Sequence, residues 1–183
     1  MPASLIGARI RITYDHDQSV AIGKVVLYKH PALVVQIESG VARNIGSARV
    51  EAFTSCERKK LTVSISGEMT SRMVLLPTSP LLSVPSALPL KILREETFAT
   101  INTGVEEFPV TIVGGGATAI YFEATAAVPV VDGVTFQMIA GSANLTVVAN
   151  VMTQTISDNR YAGVAEIKSI DRIGHARWQK LIA

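Results

Sequence analysis

The feature that most constrains this chain is a recurring run of five to eleven residues in which polar and apolar side chains alternate, each closed by a turn signal before the next begins. Ala8-Arg9-Ile10-Arg11-Ile12-Thr13-Tyr14 alternates with period two, which places Ile10, Ile12 and Tyr14 on one face of a strand. The polar turn Asp15-His16-Asp17-Gln18-Ser19 follows, and residues 20–28 resume the pattern, so the pair reads as a hairpin. Lys29-His30-Pro31 interrupts it, because proline has no amide to give a central ladder, and residues 33–37 form the next strand. Residues 49–54, 61–66 and 72–76 continue the series. Strands at this spacing predict a closed or nearly closed antiparallel sheet, which hides its edges.

The series stops at 77–89, where four of the eight prolines lie among serines and leucines. Such a stretch stays extended and predicts a linker that packs through its leucines. A second series then runs through 97–101, 108–113, 117–122, 134–139, 145–155 and 163–167. Gly114-Gly115-Gly116, Asp132-Gly133, Gly141-Ser142 and Ser157-Asp158-Asn159 supply the turns. Only residues 171–183 read as helix, with Ile173, Trp178, Leu181 and Ile182 as apolar anchors plugging a barrel mouth. The expectation is an all-β chain of two small antiparallel barrels in tandem, 1–76 and 90–183, joined by the linker at 77–89, the second ending in a short helix.

The 183 residues suffice for two domains with cores of their own, and 48% hydrophobic against 17% charged residues argues for an ordered globule. The aromatic share is 5%, which suits small β-branched cores rather than a wide ring-lined cleft. The formal net charge is +2, and apart from Arg58-Lys59-Lys60 the basic residues are scattered, so no nucleic-acid footprint is present. That triplet reads as a solvated loop. The single Cys56 has no disulfide partner and no companion at metal-ligand spacing, which points to a reducing compartment and a cytoplasmic location. The opening residues carry neither a basic n-region nor an apolar h-region, and no apolar run approaches a membrane span, so membrane insertion is not expected.

Four constellations carry chemistry in principle. Asp15-His16-Asp17 holds ligand-type side chains, but neighbours in a turn point apart and no second cluster completes a shell, so a solvated turn is expected and no metal. Gly114-Gly115-Gly116 resembles a phosphate cradle without the Lys-Ser/Thr and helix that such a loop needs. His30, His175 and Cys56 stand outside any recognisable nucleophile arrangement, so no catalytic residue and no enzyme activity are expected. Trp178 reads as core.

From about Leu90 onward the order of elements resembles the PilZ domain, a six-stranded barrel that typically binds cyclic-di-GMP. The resemblance rests on Pro109-Val110-Thr111-Ile112-Val113-Gly114-Gly115-Gly116-Ala117, Gly133-Val134-Thr135-Phe136 and Tyr161-Ala162-Gly163-Val164-Ala165-Glu166-Ile167, and covers about half the chain. The first half is similar in arrangement to the barrel preceding PilZ in YcgR-like flagellar-brake proteins. The family reads its ligand with RxxxR and a downstream [D/N]xSxxG. Here Arg94-Glu95-Glu96-Thr97-Phe98 keeps the first arginine and puts Phe98 at the second, while Thr111-Ile112-Val113-Gly114-Gly115-Gly116 keeps only Gly116. Arginine forks and a carboxylate or amide acceptor grip a dianion with guanine edges, each charge-assisted bond contributing about 1.5–3 kcal/mol. What the resemblance implies is a degenerate PilZ protein: a cytoplasmic adaptor without a cofactor, acting in motility, surface attachment or envelope regulation through an unidentified protein partner, with no useful cyclic-di-GMP binding. An altered nucleotide receptor working through Arg94, or a structural subunit, remain the other readings, and strand edges leave a homodimer open.

Overall fold

The structure is a computed structural model and describes residues 2–54, 56–69, 71–86, 88–157 and 159–183. Met1, Ala87 in the expected linker and Asp158 in the expected 157–159 turn lie outside the described residues. The chain forms two compact units, Met1–Arg94 and Glu95–Ala183. Each contains a closed six-stranded antiparallel ring, as the strand rhythm predicts.

In the first unit a single 3-10 turn, Pro2–Leu5, precedes β1 (Arg9–Tyr14), β2 (Val20–Lys29), β3 (Ala32–Gly40), β4 (Gly46–Thr54), β5 (Glu57–Met69), β6 (Arg72–Pro77) and β7 (Leu82–Pro85). Neighbours run β4-β1-β2-β3-β6-β5, and β4 pairs with β5 to close the ring. Alternation explains the filling: Ile10, Ile12 and Tyr14 of β1 are buried with Val50, Ala52, Leu61, Val63, Met73 and Leu75 from the strands around them.

Two expectations change here. The Pro/Ser-rich segment is not structureless, because β7 pairs with β5 from Lys60↔Leu82 to Glu57↔Pro85. Its prolines are tolerated since β7 ends the sheet and Pro85 closes the strand. Arg58-Lys59-Lys60 is no solvated loop but part of β5, where the buried Arg58 makes a direct ion pair with Glu51 of β4. Lys59 Nζ reaches Ser4 Oγ at 3.0 Å. The β4–β5 register sets Glu51 opposite Lys60 and two residues from Arg58's partner Phe53, a pairing no local pattern reveals.

The second unit's barrel is built from β8 (Lys91–Asn102), β9 (Glu107–Gly115), β10 (Ala119–Ala124), β11 (Val134–Ala140), β12 (Ala143–Ser157) and β13 (Arg160–Ile170), in the closed order β10-β13-β12-β11-β8-β9. The helix α1 (Arg172–Ile182) follows, with the Asp171 carboxylate accepting from the Gly174 amide at 2.7 Å as its N-cap. Trp178, Leu181 and Ile182 are buried as expected, but Ile173 is 66% exposed. At 100° per residue Ile173 stands about 140° from Trp178, and the position one turn before Trp178 is the buried Gly174. Among the described residues no helix is long and apolar enough to cross a membrane. With both rings closed, β7 is the strand that ends a described sheet.

Candidate functional site

The residues that the PilZ resemblance assigns to ligand reading fall on β8 and on β9 with its exit. β8 is one continuous strand in which Thr97, Ala99 and Ile101 face the core, so Arg94, Glu96 and Phe98 share the outer face and are exposed. Four residues of strand separate the Arg94 and Phe98 positions by roughly 13 Å along this face, and Phe98 brings no cation to it. Phe98 stands in register with Ile139 of β11, and the two side chains are 54% and 56% exposed, an apolar cross-strand pair on the outside of the barrel. The Arg94 side chain makes no hydrogen bond or ion pair among the described residues.

On β9 the register slips. Ile112 sits opposite Phe122 of β10 and Gly114 opposite Tyr121, which leaves Val113 as the extra residue of a β-bulge. Thr111 is half-buried opposite Glu123, and Val113 is buried. The bulge changes the strand's phase. Ile112 shares the inner face with Phe122, and Gly115, three residues on, also faces inward beside Ile120.

That inward glycine is where α1 closes the barrel. A Cβ on Gly115 would lie 2.3 Å from Trp178 Cζ2, so the indole packs directly on the backbone of β9. Trp178 Nε1 donates to the Gly116 carbonyl at 2.9 Å, and the Gly116 amide donates to the Ala119 carbonyl at 2.9 Å. The expected glycine turn is thus corrected. Gly114 and Gly115 belong to strand β9, and the connection to β10 runs through Gly116, Ala117 and Thr118. The phosphate-cradle reading loses its donor at Gly116, whose amide is already paired.

The structure therefore places Thr111, Val113 and Gly116 along β9 and its exit, with β10 as their paired neighbour, and Phe98 on the adjoining strand β8, in register with Ile139 of β11.

In the first unit Asp15-His16-Asp17 forms a turn whose carboxylates are engaged by protein groups. Asp17 Oδ1 accepts from the Ser19 hydroxyl at 2.7 Å and from its amide at 3.1 Å, and Oδ2 accepts from Arg43 Nη2 at 2.5 Å. The Ser19 bonds, joined by the Arg43 charge, hold the Asp17 carboxyl below the usual carboxylate range. The Arg43 guanidinium also lies 4.7 Å from the Tyr14 ring centroid, and Tyr14 Oη donates to the Val41 carbonyl at 2.7 Å. This Tyr14-Asp17-Arg43 staple pins the loop after β3, and the separation of 26 positions between Asp17 and Arg43 conceals it from any local motif. Among the described residues no group of three or more His, Cys, Asp or Glu is placed to hold a metal. Cys56 is exposed, and His30 Nδ1 lies 3.0 Å from Tyr28 Oη.

No family model matches the chain, and no curated protein matches it. Solved structures similar to it include the Bacillus subtilis inhibitor of motility MotI/DgrA, at 13% identity over 97% of this chain and 93% of that one, with a TM-score of 0.42. Escherichia coli YcgR in complex with c-di-GMP is similar at 10% identity over 95% and 81% of the two chains, with a TM-score of 0.43. The K. pneumonia MrkH–c-di-GMP complex is similar at 12% identity over 95% and 84%, also with a TM-score of 0.43.

Proposed function

We propose that the chain is a non-catalytic, PilZ-like adaptor in bacterial signalling that acts by protein contact and does not bind cyclic-di-GMP. The observation that carries this reading is the outward pair Phe98–Ile139. An exposed aromatic occupies the position where the resemblance implies an arginine fork, and a second apolar side chain stands in register beside it. A surface of this kind suits a partner's apolar anchor and offers a dinucleotide's phosphates no charge. The buried bulge residue Val113 and the half-buried Thr111 in place of serine and aspartate or asparagine support it further.

Calorimetry of the intact chain against cyclic-di-GMP and a panel of mono- and dinucleotides tests the first half. The expected result is no heat of binding up to about 1 mM ligand, a free energy weaker than about −4.1 kcal/mol. Binding at micromolar concentration that disappears in Arg94→Ala would replace the adaptor with an altered nucleotide receptor, a reading that the exposed, unengaged Arg94 favours. The second half is tested by co-purification from a bacterial host with Phe98→Ser as the control. A partner retained by the natural chain and lost in the variant is expected. Equal retention by both, or by neither, removes the assignment of this face.

A further inference from the structure

We infer that the second barrel carries a self-association site in which the β8–β9 hairpin tip of one molecule seats on the α1 face of another. The inference is independent of the signalling reading above. It rests on two surfaces of the same unit that carry opposite charge, each around one exposed apolar side chain.

The receiving surface is the outer side of α1. The helix contains no acidic residue, and the carboxylate before it is engaged in capping. Two open depressions of about 740 and 540 Å³ share Arg172, Ile173 and Arg177, with Ala176 and Lys180 completing the larger one. Ile173 is thus an exposed apolar side chain among three cations. Arg172 and Lys180 have no ion pair among the described residues, while Arg177 donates to the Asn144 carbonyl.

The entering surface is the tip at residues 103–107. Val105 is 91% exposed and is followed by Glu106 and Glu107, a single apolar knob beside two carboxylates. The tip is rigid before contact. The Thr103 amide donates to the Glu106 carbonyl at 3.0 Å, Thr103 Oγ1 accepts from the Glu106 amide at 3.1 Å, and Asn102 Oδ1 accepts from the Gly104 amide at 2.7 Å. A preorganised loop loses little entropy on binding.

A molecule cannot make this contact with itself. The tip opens β9, and Trp178 of α1 packs on Gly115 at the strand's other end, roughly 25–30 Å away for nine residues of strand. The β8–β11 register agrees: Asn102 beside the tip pairs with Thr135, whereas Ala140, next to the hairpin leading to Asn144, pairs with Thr97. The two surfaces lie at opposite ends of one barrel, so the contact joins separate copies, closing as a reciprocal pair or continuing head to tail.

Sedimentation equilibrium of the full chain at low salt, up to about 1 mM, reads the outcome. The mass is expected to rise above the monomer with concentration and to fall back at high salt. Glu106→Lys/Glu107→Lys and Arg172→Glu/Lys180→Glu should each lower the association constant by about tenfold or more. Both double variants place like charges on tip and helix. An equimolar mixture of the two restores opposite charges and should restore association, which a fold defect cannot do. Val105→Ser, which leaves the charges alone, should also weaken it. A monomer at all concentrations, or association that the reversals leave unchanged, overturns the inference. So does a monomer that instead sediments with phosphatidylglycerol vesicles through Arg172 and Lys180, which would give the helix face to a lipid surface.

Discussion

Substituting Gly115 by alanine tests how α1 is held. The new methyl carbon would lie 2.3 Å from Trp178 Cζ2, 2.5 Å from Cη2 and 3.0 Å from Ile182 Cγ2. Carbon atoms rest at about 3.5–4.0 Å, so the indole must retreat by about 1.2 Å or more. It is a rigid ring anchored through Nε1 to the Gly116 carbonyl, so it cannot yield by a small rotation without stretching that bond. Overpacking of this kind costs about 1–3 kcal/mol, and losing the indole hydrogen bond adds about 0.5–1.5 kcal/mol. The alternative is for α1 to leave the barrel mouth, exposing Trp178, Leu181 and Ile182 at about 1.5–3 kcal/mol each. Strain is the smaller of the two, so the helix stays docked and the variant loses about 2–4 kcal/mol. Urea unfolding followed by circular dichroism should show a lower midpoint with an unchanged slope. Trp178 is the chain's one tryptophan, so its emission should stay that of a buried ring. Adding Trp178→Phe should recover about 1 kcal/mol or more of coupling in a double-mutant cycle. A loss below about 0.5 kcal/mol would refute the close packing, and a red-shifted emission would refute the ordering of the two costs.

Gly163→Ala should also destabilise, by about 1–3 kcal/mol in the same unfolding assay, because a Cβ there would meet the Phe122 ring at 2.3 Å inside the barrel. The Asp17 carboxyl is held below its ordinary range when folded, so its contribution is present above about pH 3.9 and is lost as the pH falls through the folded value. Melting curves of the natural chain and Asp17→Asn from pH 6 to pH 2 should therefore differ at the neutral end and converge at the acid end. Curves that stay parallel would show that the staple carries no such linkage.

The strand rhythm was legible because one face of each barrel strand is buried, and period two survives in the residues themselves: Ile10, Ile12 and Tyr14 read inward before any coordinate is known. What escaped depends on partners far along the chain. Proline and serine at 77–89 signal an unpaired segment, yet β7 needs only one neighbour, and β5 supplies it. Gly114 and Gly115 read as turn residues because glycine usually serves φ; here Gly115 serves an indole more than sixty residues later. Ile173 belongs to the helix's apolar count, but its phase puts it on the solvent side. At the candidate site, the departures of Phe98, Thr111 and Val113 from the family's pattern are readable as letters. That Phe98 meets Ile139 on an outer face follows only from the β8–β11 register.

The supernumerary residue of β9 has a consequence for how the chain tolerates length changes. Excising Val113 would remove the bulge and leave Ile112, Gly114 and Gly115 in plain alternation, each still opposite its present partner on β10. Gly115 would still face inward beneath the indole, and the Gly116 carbonyl would stay aimed at Trp178 Nε1. The strand can thus give up one residue at no cost in parity, whereas a second deletion would turn Gly115 toward solvent and reach the far end of the polypeptide through Trp178.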